Sequence, residues 1–103
     1  MLIAPSIVLK IAREFLGLSQ DAVEAYSGIS RSSIQRAEQG RPGILNSAVE
    51  LQKFYENNGI IFLAPTDGRG WGVINNNAIG DGAQLNKLPG KPPLEVRKRS
   101  RSV

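Results

Sequence analysis

The stretch GLSQDAVEAYSGISRSSIQRAEQGR, residues 17–41, has the clearest pattern of helix starts and ends in this sequence. It contains two short runs, at 20–27 and at 31–39, each with a serine directly before it and a glycine directly after it. Serine is a preferred residue at helix N-caps, and glycine is common just beyond helix C-termini. Gly28 also tolerates the positive φ of a sharp turn. The stretch therefore predicts two short helices joined by a tight turn.

The second of these helices has one apolar side and one hydrogen-bonding side. Ile34 and Ala37 lie three residues apart and predict the inner side, while Ile29 is placed to fill the corner before the helix. The other positions carry side chains of the kinds that contact base edges or phosphates. They are Arg31, Ser32, Ser33, Gln35, Arg36 and Gln39. The backbone amides at the start of this helix are expected to be open to a phosphate. Together these features indicate a helix-turn-helix.

Residues 6–63 resemble the lambda-repressor-like helix-turn-helix family, the Cro and repressor type also called XRE. The GLSQ opening, the turn glycine and the S-R-S-x-I-x-R-x-E-x-G ending carry the resemblance. It implies a mostly α fold, a bundle of about four helices containing the helix-turn-helix, followed by a small β-hairpin. It also implies a DNA-binding transcriptional regulator of bacterial or phage type, acting as a repressor and as a homodimer on a two-fold operator in double-stranded DNA.

The resemblance assigns roles to particular residues of this chain. Base contacts fall to Arg31, Ser32, Gln35 and Arg36, and phosphate contacts to Ser19, Gln20, Ser30, Gln39 and Arg41. Gln20 is also expected to brace the reading helix. Arg13 and Glu38 match positions that form an internal ion pair. Glu24 departs from the family, which has alanine there because the two helices approach closely, so its side chain must point outward or force the helices apart.

The rest of the chain predicts further elements. Ser6 is the expected N-cap of a first helix with Ile7, Val8, Ile11, Phe15 and Leu16 on its apolar side, and Gly17 is the expected stop. A fourth helix is expected over about 45–58, with Leu45, Ala48, Leu51, Phe54 and Tyr55 as its apolar side, and strands over 60–63 and 71–74. The predicted organisation is a helix-turn-helix domain at 1–59, a hairpin extension of it at 60–75 and a flexible basic tail at 76–103. Expected dimer contacts are Tyr55, Ile61, Phe62 and Trp71.

Composition narrows the classes of function. The 103 residues include no cysteine and no histidine, so the commonest metal ligands and the commonest general base are missing. We therefore expect no enzyme, no metal and no cofactor. No apolar run approaches membrane-spanning length, which favours a cytoplasmic protein with no membrane contact.

The charge distribution leaves a second interpretation open. Residues 1–67 carry six basic and seven acidic side chains, whereas residues 68–103 carry seven basic and two acidic ones. The near-neutral front part, together with Glu24, supports an alternative in which the scaffold binds a protein partner, as an anti-activator or antitoxin would, with weak or no DNA binding.

Overall fold

A computed structural model of the chain describes residues 2–78. Four helices come first: α1 at Ser6–Phe15, α2 at Gln20–Ser27, α3 at Arg31–Gln39 and α4 at Leu45–Asn57. Strands β1 at Ile60–Leu63 and β2 at Gly72–Asn75 follow, and a 3-10 turn at Asn76–Ala78 ends the described part of the chain. The expected mostly helical bundle with a hairpin after it is confirmed. None of the helices within residues 2–78 is both long enough and apolar enough to cross a bilayer.

The core lies where the four helices meet, and β1 adds to it. α3 packs against each of the other three helices, while α1 also contacts α4 and β2. The buried apolar residues are Ala4, Val8, Leu9, Ala12, Leu16, Leu18, Ala22, Val23, Ile34, Ala37, Ala48, Leu51, Tyr55 and Ile60. Because α3 is anchored on three sides, its orientation is fixed by the core, and its remaining side faces outward.

The buried side of α1 differs from the predicted one. Val8 and Leu16 are buried as expected, but Ile7, Ile11 and Phe15 are exposed by 60%, 44% and 39%. Apolar residues occupy both sides of this helix, so periodicity alone selects the wrong stripe. Leu45 of α4 is likewise exposed rather than buried.

The first helix also begins differently from the prediction. Pro5 is its N-cap, Ser6 is its first residue, and no side chain caps it. The Pro5 carbonyl accepts the Val8 and Leu9 amides at 2.9 and 3.0 Å. Proline suits this position for two reasons. Its ring fixes φ near the value needed there, and it has no backbone N–H that would be left unpaired at the start of a helix.

The hairpin is antiparallel, and Ile61 pairs with Ile74 while Phe62 pairs with Val73. Ile60 is buried in the core, whereas Ile61 and Ile74 are 44% and 42% exposed on the opposite face of the hairpin. β2 runs one residue later than predicted, because Asn75 continues the pairing opposite Ile60. The turn at Asn76–Ala78 lies in the segment assigned to the flexible tail, and the rest of that assignment, 79–103, lies outside the described residues.

Tyr55, suggested by the sequence as a dimer contact, is fully buried inside the core. Its hydroxyl has no hydrogen-bond partner among the described residues. Burial raises the pKa of Tyr55 well above its usual 10.0; the charge of Glu38 raises it further, and Arg13 opposes this. The folded protein therefore disfavours the ionised form of this side chain.

Tyr55→Phe is expected to raise the free energy of unfolding at neutral pH by about 1 kcal/mol, because it removes a buried hydroxyl that lacks a partner. In the native sequence, the raised pKa means that stability is retained below the ordinary tyrosine pKa of 10.0 and lost as the pH rises beyond it. The variant should lack this alkaline loss. Urea unfolding of both proteins at neutral and alkaline pH measures the two effects, and a variant destabilised at neutral pH would contradict the prediction.

Candidate nucleic-acid interface

The turn between α2 and α3 is built from the residues that the sequence indicated. Ser19 caps α2 by accepting the Ala22 amide at 3.0 Å. Gly28 ends that helix at φ 79°, a left-handed backbone conformation that residues other than glycine rarely adopt. Ser27 Oγ donates to the Val23 carbonyl at 2.6 Å and accepts the Ile29 amide at 3.0 Å. Ile29 packs against the core from the corner of the turn. These bonds fix the angle at which α3 leaves α2.

α3 divides into a buried and an exposed side. Ser30 caps it by accepting the Ser33 amide at 3.2 Å, and Gly40 ends it at φ 71°. Ile34 and Ala37 are fully buried. Every side chain assigned to base contact is exposed, as are Gln39 and Arg41; the base set is Arg31, Ser32, Gln35 and Arg36. The exposed side is therefore a continuous polar surface with cationic side chains on it.

An ion pair between Arg13 of α1 and Glu38 of α3 holds α3 on the side away from its exposed surface. Arg13 donates from Nε to Glu38 Oε2 at 2.6 Å and from Nη2 to Glu38 Oε1 at 2.9 Å, the arrangement implied by the resemblance. The two side chains are only 11% and 5% exposed. Gln20 Nε2 adds a third donor to the carboxylate at 3.1 Å, and Arg13 Nη1 also bonds the Leu18 carbonyl at 3.0 Å. The network joins α1, α2 and α3.

Ionisation of Arg13 is secured by this network. Burial by itself would lower the pKa of Arg13, but the hydrogen bond to Glu38 and the charge of that carboxylate outweigh it, so the pKa is raised. The bidentate geometry suits a guanidinium and would not be reproduced by lysine. Gln20, assigned to phosphate contact, thus has its amide engaged in bracing α3, and the hydroxyls of Ser19 and Ser30 act as caps.

Glu24 points outward, so the helices are not forced apart. Its side chain is exposed, and its Oε2 accepts the backbone amide of Arg31 at 3.1 Å. The expectation of open amides at the start of α3 is therefore wrong for Arg31, and also for Ser33, whose amide bonds Ser30 Oγ. Asp21, one turn before Glu24, bonds the guanidinium of Arg31 through Oδ1 at 3.2 Å. Sequence analysis missed this contact, because residues ten apart across a turn leave no periodic signal.

Comparison with protein families gives a match between residues 9–46 and the helix-turn-helix family model. This segment is similar to that family, which supports the resemblance to its lambda-repressor-like members. The match spans most of α1, the whole of α2 and α3, and the start of α4, which includes the turn, the ion pair and the exposed side of α3. No curated protein and no solved structure matches the chain significantly.

The family that residues 9–46 match is a DNA-binding regulatory one, which fits the polar surface of α3. Among residues 2–78, no cluster of carboxylates is arranged to hold a metal ion. The exposed side of α3 presents two arginines, two glutamines and the hydroxyl of Ser32. Such groups bond base edges and phosphate oxygens.

Proposed function

We propose that the protein is a sequence-specific transcriptional regulator that inserts α3 into the major groove of DNA. The observation that carries the proposal is the division of α3: Ile34 and Ala37 are fully buried, while the side chains assigned to base contact are exposed. Arg36 makes no ion pair with any residue in 2–78, so its guanidinium is available to an external acceptor. Arginine and glutamine prefer guanine and adenine, respectively.

The phosphate contacts of the proposal are Gln39, Arg41 and the residues around the first turns of α2 and α3. Gln39 and Arg41 are exposed at the end of α3. Ser19, Gln20 and Ser30 already bond their own chain, so they would contact phosphate only with the hydrogen-bonding capacity that remains.

We assign the regulator to repression, since a bound domain of this size can block polymerase without further parts.

Selection of bound sequences from a pool of random duplexes tests the proposal. A sequence-specific regulator enriches one sequence family, and a two-fold dimer enriches an inverted repeat with half-sites about one helical turn, 34–36 Å, apart. Absence of any enriched sequence would defeat the proposal.

A homodimer is part of the proposal. Ile61 lies on the outward face of the hairpin beside Ile74, and both are exposed. Exposed apolar side chains in neighbouring positions favour a protein contact. Phe62 and Trp71 are half-buried, and buried Tyr55 has no place in such an interface. Light scattering of Ile61→Asp beside the native protein, with and without duplex, tests the assignment; a native protein that is monomeric in both conditions would contradict it.

One observation favours a second candidate function, a module that binds a protein partner and binds DNA weakly. Asp21 and Glu24 are exposed next to the start of α3, where their charges oppose a phosphate backbone. A salt titration of binding to random duplex separates the two functions. A DNA-binding protein shows a measurable affinity that falls steeply with salt, whereas a protein-binding module shows only weak affinity for duplex even at low salt.

Removal of residues 91–103 is expected to weaken DNA binding about equally for all sequences. The segment carries Lys91, Arg97, Lys98, Arg99 and Arg101, whose charges neutralise phosphates without reading bases. The slope of log affinity against log salt should shrink by a few units at most. Titration of the truncated and full chains against selected and random duplexes measures this, and a changed sequence preference would show that the segment does more.

A further inference from the structure

We infer that Asp21 is a specificity-determining residue, which holds Arg31 in position to read a guanine and keeps it from a backbone phosphate. The inference rests on the DNA-binding function proposed above. It begins from the two contacts that α2 makes with the first residue of α3. Asp21 Oδ1 accepts from Arg31 Nη1 at 3.2 Å, and Glu24 Oε2 accepts the Arg31 amide at 3.1 Å.

Arg31 is thereby held at two points, the backbone and the end of the side chain. Its guanidinium bonds Asp21 through Nη1 alone, and no other residue in 2–78 accepts from it. The edge of the guanidinium formed by Nε and Nη2 stays available. Its two parallel N–H groups can donate to O6 and N7 of one guanine. The contact with Asp21 is therefore compatible with bidentate base readout.

The exposure of the pair argues against a purely structural role. The side chains of Arg31 and Asp21 are 59% and 58% exposed. Ion pairs this open to water contribute little to folding. In a groove from which water is displaced, the same carboxylate would act on Arg31 much more strongly, because the effective dielectric constant is lower.

Asp21 also changes the alternatives open to Arg31. An unrestrained arginine at the start of a reading helix can turn to a phosphate, which carries no sequence information. The Asp21 carboxylate beside the guanidinium opposes that movement, and its negative charge also repels the phosphate backbone of the DNA. Asp21 thus lowers affinity for DNA of any sequence and increases discrimination at one base pair.

The test compares Asp21→Ala, Arg31→Ala and the double variant in the full chain. Sequence selection from a random duplex pool gives base preference, and titration of random duplex at several salt concentrations gives non-specific affinity. Asp21→Ala should lose on the order of ten-fold in guanine preference at one base pair. Its affinity for random duplex should rise several-fold, with a steeper salt dependence. Arg31→Ala should lose preference at the same base pair, and the double variant should lose no more than Arg31→Ala.

Glu50→Ala is the matched control, since it removes an exposed carboxylate from α4. It should leave base preference unchanged. If Asp21→Ala retains the guanine preference, or if the double variant loses more than Arg31→Ala, the inference is wrong while the DNA-binding function stands. If the native chain itself enriches no sequence, the proposed function fails first.

Discussion

Glu38→Ala is expected to lower the free energy of unfolding by about 3 to 5 kcal/mol, because it leaves the Arg13 guanidinium buried without its counter-charge. The native carboxylate accepts three hydrogen bonds, two from Arg13 and one from Gln20, and it is 5% exposed. Arg13 keeps its bond to the Leu18 carbonyl in the variant, which favours the lower end of the range. Urea unfolding followed by circular dichroism measures the loss.

The controls for this prediction separate the buried charge from the loss of a side chain. Glu50→Ala, at an exposed position, should change stability by at most about 0.5 kcal/mol. Arg13→Met combined with Glu38→Leu removes both charges and should recover much of the loss of the single variant. A Glu38→Ala protein as stable as the native one would show that the pair does not hold α1 against α3.

Arg36→Ala is expected to weaken binding to the selected duplex by about 1 to 3 kcal/mol, roughly 5- to 150-fold, and to relax preference at one base pair. Arg36 is exposed on the outward side of α3, opposite the buried Ile34 and Ala37. Its planar fork matches guanine O6 and N7. Competition binding against single-base variants of the selected duplex measures both effects.

Arg41→Ala provides the comparison, because we propose that this exposed arginine, just beyond the end of α3, contacts phosphate. It should weaken all duplexes about equally, without changing base preference. Arg31→Ala should behave like Arg36→Ala, at a different base pair. If both arginine variants of α3 leave affinity and preference unchanged, α3 is not the reading helix.

The bounds of α2 and α3 could be predicted from the sequence, because each has a serine N-cap and a glycine end whose geometry depends on adjacent residues. Ser19 and Ser30 accept amides three residues later, and Gly28 and Gly40 adopt positive φ. The exposed positions of α3 followed from its helical period. The Arg13–Glu38 pair spans 25 residues and was available only through the family resemblance.

The packing of α1 could not be predicted in the same way. It has apolar side chains on both sides, and tertiary contacts rather than periodicity decide that Leu9 and Ala12 are buried while Ile7 and Ile11 are exposed. Likewise, the presence of Glu24 in the sequence is compatible either with a side chain that points outward or with α2 and α3 forced apart. Only the position of the Arg31 amide, across the turn, shows which of the two occurs.

Asn75 has a consequence for cooperativity that extends beyond the helices. Its side-chain Nδ2 donates to the Phe15 carbonyl at 2.9 Å, so the last residue of β2 is tied to the last residue of α1. Buried Ile60, its partner across the hairpin, packs in the helical core. Opening the hairpin would break this bond and expose Ile60 to water. The backbone amides of the hairpin should therefore exchange with deuterium in one step with those of the helical core, because the two open together as one foldon. The smallest autonomous folding unit would then reach from the residues before α1 through Asn75, well past the segment that the family match covers.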